Sequence, residues 1–225
     1  MSDHPHELEA ATGRLLGGER VLVCVLEHPT SAENLGAVLR SVDALGVGKM
    51  YVVSDKWTQE QLGRPGRAGR PALSAIVRSS VSASKWVYAR HFATTRGCLQ
   101  HLGSRGFVSL ATSPHTVGRV NLDLMAADFT RYRKLAVWFG NEARGLTAEA
   151  SAACQACVQI PMSGIVESLN LAVAAGIVLS HIACQRRRAR ARSEKPAALI
   201  QPTAISREFS SPAGGALGPG AARCV

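Results

Sequence analysis

Apolar positions along the chain alternate between two rhythms. Val21-Leu22-Val23-Cys24-Val25-Leu26 is an unbroken β-prone run, the pattern of a strand buried on both faces of a parallel sheet. Past His28-Pro29, Leu35, Val38, Leu39, Val42 and Leu45 recur at helical spacing, with Thr30-Ser31-Ala32-Glu33 as a capping box and Gly46 as the stop. Lys49-Met50-Tyr51-Val52-Val53 predicts a second strand, so residues 21–53 form a strand–helix–strand unit. The alternation continues with a helix around Leu99 and Leu102, strands at Phe107–Ala111 and Leu135–Phe139, a short helix from Thr147 and a strand at 158–160. Ser168 then stands where a helix N-cap would, and an apolar stretch from Leu171 to Leu179 leads into a helix ending in the arginines up to Arg192. This is an α/β pattern, a mostly parallel sheet with helices on both faces.

Between these elements the polar stretches mark the organisation. Residues 1–20 read as a short polar extension, 21–192 as one domain, and 193–225, rich in Ser, Pro, Ala and Gly, as a disordered tail. From Asp55 to Lys85 the chain is dense in Gly, Pro and Arg, which sustains neither helix nor central strand, and residues 112–134 read as surface connection. Charge sharpens the picture. The chain of 225 residues carries a formal +10, and eight of its 26 Lys and Arg but only two of its 16 Asp and Glu lie in residues 186–225. An acidic partner such as RNA is expected, with Arg64, Arg67, Arg70 and Lys85 in the long loop and Arg186, Arg187, Arg188, Arg190 and Arg192 at the helix end as candidate phosphate contacts.

Composition also excludes several classes. The six cysteines are scattered, several inside apolar segments, as in a reduced cytosolic chain; Cys154-x-x-Cys157 follows a helix and has no second pair, so neither a redox nor a zinc site is expected. No basic start followed by an apolar run opens the sequence, and Leu171–Leu179 is too short to cross a bilayer, so a cytoplasmic protein with no membrane partner is predicted.

Candidate chemistry concentrates at three places. Asn34 and Arg40 lie off the apolar stripe of their helix and on composition alone would be a solvated pair. Gly140-Asn141-Glu142-Ala143-Arg144-Gly145-Leu146 follows a predicted strand directly, where glycines let backbone approach a ligand. Ile160-Pro161-Met162-Ser163-Gly164-Ile165-Val166-Glu167-Ser168-Leu169-Asn170-Leu171 leaves a strand, turns sharply and enters a helix whose first N–H groups lack intrahelical partners. No Gly-x-Gly-x-x-Gly turn follows the first strand, against an ordinary dinucleotide site.

In this order and spacing, Asn34-Leu35-Gly36-Ala37-Val38-Leu39-Arg40, the 140–146 stretch and the 160–171 stretch resemble the first, second and third motifs of the SpoU family of RNA ribose methyltransferases, members of the knotted SPOUT class. The resemblance covers roughly residues 20–188. It implies a C-terminal trefoil knot, S-adenosylmethionine as methyl donor, no metal, and a homodimer whose active site combines both chains. It implies catalytic roles for Arg40, Asn34, Glu142, Ser168 and Asn170. It also implies a cofactor site built from Phe139, Gly140, Asn141, Glu142, Gly145, Leu146, Ile160, Met162, Gly164, Ile165, Leu169, Leu171 and Ala172. Ser84-Lys85-Trp86-Val87-Tyr88 and the short N-terminus look most like the tRNA enzymes that methylate a D-loop guanosine ribose. Glu167, where that group more often has Gln, and the unfamiliar tail leave ribosomal RNA open as the target, alongside a catalytically silent RNA-binding relative and an α/β nucleotide enzyme of another class.

Overall fold

The computed structural model describes residues 20–58, 62, 87–114 and 120–194. Seven strands form one sheet: β1 Val21–Glu27, β2 Lys49–Val53, β3 Tyr88–Phe92, β4 Val108–Thr112, β5 Asn121–Asp123, β6 Lys134–Phe139 and β7 Ala156–Gln159. Their order is β3-β2-β1-β6-β4-β7-β5, and every neighbouring pair is parallel. Among the described residues four helices accompany them: α1 Ala32–Ala44, α2 Thr95–Ser104, α3 Ala148–Ala153 and α4 Leu171–Glu194.

The continuous apolar runs are explained by the two faces. In β1, Leu22, Cys24 and Leu26 pack into one core with Leu35, Val38, Leu39 and Val42 of α1 and Ala175, Val178, Leu179 and Ile182 of α4. Val23 and Val25 point to the other core, with Cys98 and Leu102 of α2 and Ala150 of α3. Because successive strand side chains alternate, a strand sandwiched between helix layers is apolar on both faces, here from Leu22 to Leu26. β6 repeats the division, with Leu135, Val137 and Phe139 on the first side and Ala136 and Trp138 on the second. Each such fully buried aliphatic or aromatic side chain contributes about 1.5–3 kcal/mol of transfer free energy.

Several expectations need correction. Residues 112–134 are not merely surface connection: β5 extends the sheet beside β7, and Leu124 and Phe129 are fully buried. A three-residue strand is too short for any periodic signal. The cap of α1 is Ser31, whose hydroxyl accepts from Asn34 N at 3.1 Å, and not Thr30. Helix α4 starts at Leu171, after the expected Ser168 cap. There Asn170 Oδ1 accepts from Ala172 N at 2.8 Å and Val173 N at 3.4 Å, doing what an N-cap does.

Arg186 also corrects the RNA-contact reading. It is buried, and its guanidinium donates to Val21 O, Phe129 O and Tyr132 O at 3.2, 3.4 and 2.8 Å. Helix periodicity turns it inward, while Arg187, Arg188, Arg190 and Arg192 are exposed. Gln185 beside it donates to Ala127 O and accepts from Phe129 N, so one turn of α4 clamps the segment leading to β6. The extension over residues 1–19, the expected contacts Arg64, Arg67, Arg70 and Lys85, and the tail beyond Glu194 lie outside the described residues. Of the long loop's start, Trp57 and Leu62 are buried in the first core.

Candidate active site

The 140–146 loop is built by its ends. Gly140 follows β6 so closely against Gly145 and Leu146 that a Cβ there would lie 2.1 Å from Gly145 C, which forbids any side chain. Asn141 and Gly145 exchange backbone hydrogen bonds of 2.9 Å in both directions, and Gly145 closes the ring at φ +68°, a conformation glycine adopts without cost. The Asn141 side chain accepts from Ala143 N and Arg144 N at 2.9 and 3.1 Å. It donates to His28 O at 2.7 Å, tying this loop to the turn after β1.

Held by that ring, Glu142 becomes the acceptor of a converging set of donors. Thr30 gives it both its N–H, at 3.0 Å, and its hydroxyl, at 2.9 Å; Ser31 N reaches it at 3.3 Å and Asn34 Nδ2 at 3.0 Å. Partial burial works against ionisation here, but the hydrogen bonds from Asn34 and Thr30 outweigh it and hold the carboxyl down to about 2. The chain of contacts continues. Asn170 Nδ2 donates to Asn34 Oδ1 at 3.0 Å, while Asn170 Oδ1 caps α4. Glu142, Asn34 and Asn170, far apart in sequence, thus form one polar line. The turn carrying Thr30 is itself pinned: Trp57 Nε1 donates to Pro29 O and Lys56 Nζ to Thr30 O, each at 2.7 Å.

Beside this line opens a cavity of about 490 Å³, within the range of small-molecule sites. It lies at the carboxyl ends of β4, β6 and β7, where ligands of parallel sheets bind. Its wall takes in Phe139, Gly140, Asn141, Glu142, Gly145, Leu146, Ile160, Met162, Leu169 and Leu171 from the expected cofactor residues, together with Ser168. Gly164, Ile165 and Ala172 stand outside that wall: Ile165 is fully exposed, and Ala172 packs on the first core. The sequence reading missed the far wall, Ala111 to Pro114 at the end of β4 and just beyond it. Its only signal was a Thr-Ser-Pro ending to a predicted parallel strand. It also missed Thr30, whose hydroxyl had been assigned to helix capping.

Arg40 is exposed on α1 and outside the cavity wall; no hydrogen bond or ion pair with another described residue engages it. Cys154 and Cys157 are not joined in a disulfide and are buried in the second core. Among the described residues no cluster of His, Cys, Asp or Glu could hold a metal ion, and no helix is long and apolar enough to cross a membrane.

The family model of the SpoU rRNA methylase family matches residues 21–180. Among curated relatives, the tRNA (guanosine(18)-2'-O)-methyltransferase of Thermus thermophilus is 33% identical over 168 residues, 75% of this chain and 77% of that one. The 23S rRNA (guanosine-2'-O-)-methyltransferase of Vibrio vulnificus is 29% identical over 165 residues, 73% of this chain and 60% of that one. Among solved structures, the SpoU methyltransferase AviRb from Streptomyces viridochromogenes, in complex with AdoMet, superposes with a TM-score of 0.61 at 28% identity, covering 75% of this chain and 59% of that one.

Proposed function

We propose that this chain, which belongs to the SpoU rRNA methylase family, transfers a methyl group from S-adenosylmethionine to a ribose 2'-hydroxyl of RNA, and that its target is a D-loop guanosine of tRNA. The observation that carries the reading is the polar line Glu142–Asn34–Asn170 at the rim of the cavity, since it joins all three motif segments at one place.

The cavity suits the methyl donor. Its wall mixes apolar side chains such as Phe139, Leu146, Ile160 and Leu171 with exposed loop backbone, and Gly140 lets the loop close without a side chain in the way. Bound there, the cofactor supplies an electrophilic methyl on a sulfonium centre. Backbone at 140–146 and 160–169 holds the adenosyl portion, and the ionised Glu142 fixes Asn34 and the Thr30 turn. Asn170 and Ser168 orient the nucleotide through amide and hydroxyl. The ribose oxygen would form its C–O bond as the sulfonium S–CH3 bond breaks, the neutral thioether leaving and the hydroxyl proton passing to solvent, and Arg40 stabilises the developing alkoxide or steers that proton. Arginine stays charged in ordinary surroundings, so stabilisation is the simpler role.

A single chain leaves Arg40 outside the cavity wall. Ile165, Val166 and Val173, at and just after the third motif, are exposed apolar residues. Both features support a homodimer in which a second copy covers this face and brings its Arg40 to the ribose. We further assign the chain a trefoil knot of the SPOUT type, one methyltransferase domain over 21–192 and a cytoplasmic location. Purified protein incubated with labelled methyl donor should methylate unmodified tRNA transcripts at one D-loop guanosine ribose, mapped by mass spectrometry of nuclease fragments. Methylation confined to ribosomal RNA would move the target to the class of the Vibrio relative; no transfer to any RNA would overturn the activity.

A further inference from the structure

A second cationic site lies away from the cavity, on α2 and the outer strands β2 and β3. His101 of α2 is faced at both ring nitrogens by guanidinium groups: Arg90 Nη1 stands 3.2 Å from Nε2 and Arg105 Nη1 stands 3.2 Å from Nδ1. The Tyr51 hydroxyl is 3.4 Å from the same Nε2. A neutral imidazole offers one lone pair and one N–H, so only one of the two arginines finds an acceptor there, and the other meets N–H with N–H. A protonated ring satisfies neither. Burial first, then the charges of Arg90, Arg105 and Lys49, hold the His101 imidazole down to about 4, in keeping with a site already overfull of positive charge. Among the described residues no carboxylate is hydrogen-bonded to or ion-paired with Arg90 or Arg105. Arg90 is meanwhile held in place over the Phe92 ring, 4.9 Å from its centroid, within a cluster in which Tyr51, Phe92 and His101 pack at 5.2 to 5.6 Å.

The donors gathered here suit an oxyanion. Guanidinium forks match phosphate oxygens in shape and charge, and an anion here would accept from Arg90, Arg105 and the remaining N–H of His101 together. The position narrows its source. Lys134 opens β6 and donates to Arg105 O at 2.8 Å, so Arg105 sits at the amino end of the strand whose carboxyl end, Phe139, lines the cavity. Five steps of strand at about 3.3 Å each separate Lys134 from Phe139 by roughly 17 Å. We infer that Arg90, His101 and Arg105 form a contact for a backbone phosphate of the substrate RNA, lying toward the end of β6 opposite the cavity, where the body of a structured RNA is long enough to reach.

The inference rests on RNA being the substrate, and its test separates the two. Wild type, Arg105→Gln and the double variant Arg90→Gln/Arg105→Gln are compared for binding of a full-length tRNA transcript and of an isolated D-arm hairpin across a salt series. Thermal melts and calorimetry of cofactor binding verify the fold. The double variant should show about a tenfold rise in KM for full-length tRNA and an unchanged kcat. Its log–log salt slope should be shallower by about 0.9, the loss of one phosphate contact, and that of Arg105→Gln by no more than about 0.9. The hairpin, reaching only the cavity, should bind all three proteins alike. An unchanged slope and KM for full-length tRNA overturn the inference while leaving the methyltransferase intact. Absence of RNA binding by the wild type overturns both. If inorganic phosphate alone shifts the His101 ring signals in NMR and RNA affinity ignores the substitutions, the site serves a free anion and the inference falls.

Discussion

Glu142 shows how one side chain comes to carry a site. Its carboxylate gathers donors from Thr30, Ser31 and Asn34, and its lowered pKa makes folding and pH interdependent. A carboxyl whose folded value falls from 4.5 to about 2 contributes stability that is complete above the unfolded value and is lost as pH drops through that window. The melting-temperature advantage of wild type over Glu142→Gln should therefore be constant at neutral pH and shrink between about pH 4.5 and about pH 2; differential scanning calorimetry at stepped pH reads it. The same substitution should lower kcat by about 10²–10³, the scale of one misplaced polar group in an active site. Arg40 is the complementary case. Arg40→Ala should cut turnover by at least about 10² and leave calorimetric cofactor affinity within about twofold, since Arg40 is not among the residues that line the cavity. Near-normal turnover would return Arg40 to the status of a solvated helix residue.

At the scale of elements, the joints between them hold the site. The carbonyls of Val21, Phe129 and Tyr132 share the Arg186 guanidinium, which fastens α4 to the start of β1 and the approach to β6. Arg186→Ala strands those carbonyls and should cost about 3 kcal/mol, from about 1–3 for each buried group left unpaired. Arg187→Ala and Arg188→Ala, on the exposed face, should change stability by less than about 0.5 kcal/mol. Urea unfolding of the three variants distinguishes the clamp from its neighbours. At the other end of the site, Ser31→Ala removes the α1 cap at about 1 kcal/mol. The same change spares the Thr30 hydroxyl, so activity should fall less than in Thr30→Val.

For the whole molecule, exposed Ile165, Val166 and Val173 predict association. Sedimentation equilibrium should give a dimer, and Ile165→Asp/Val173→Asp a folded monomer whose methyl transfer is lost because Arg40 no longer reaches a neighbouring cavity. Much of this architecture was legible beforehand. Continuous apolar runs announced strands covered on both faces, and the helical stripe of Leu35, Val38, Leu39 and Val42 announced α1, because burial imposes its periodicity directly on the sequence. Residues 140–146 and the turn between Ile160 and the start of α4 were legible because glycine and proline act locally. What stayed hidden was whatever depends on a distant partner. The three-residue β5 exists only by pairing with β7. Thr30 serves Glu142 and not its own helix because a loop more than a hundred residues away supplies a carboxylate. Arg186 looks like its four neighbours in an arginine run, and only the rotation of α4 against the segment before β6 turns it inward. By itself the sequence determined the kinds of elements, their order and the places where chemistry gathers, since each is written in local spacing. The tertiary structure alone decided which polar groups face one another, because hydrogen bonds between remote segments leave no periodic trace in either one.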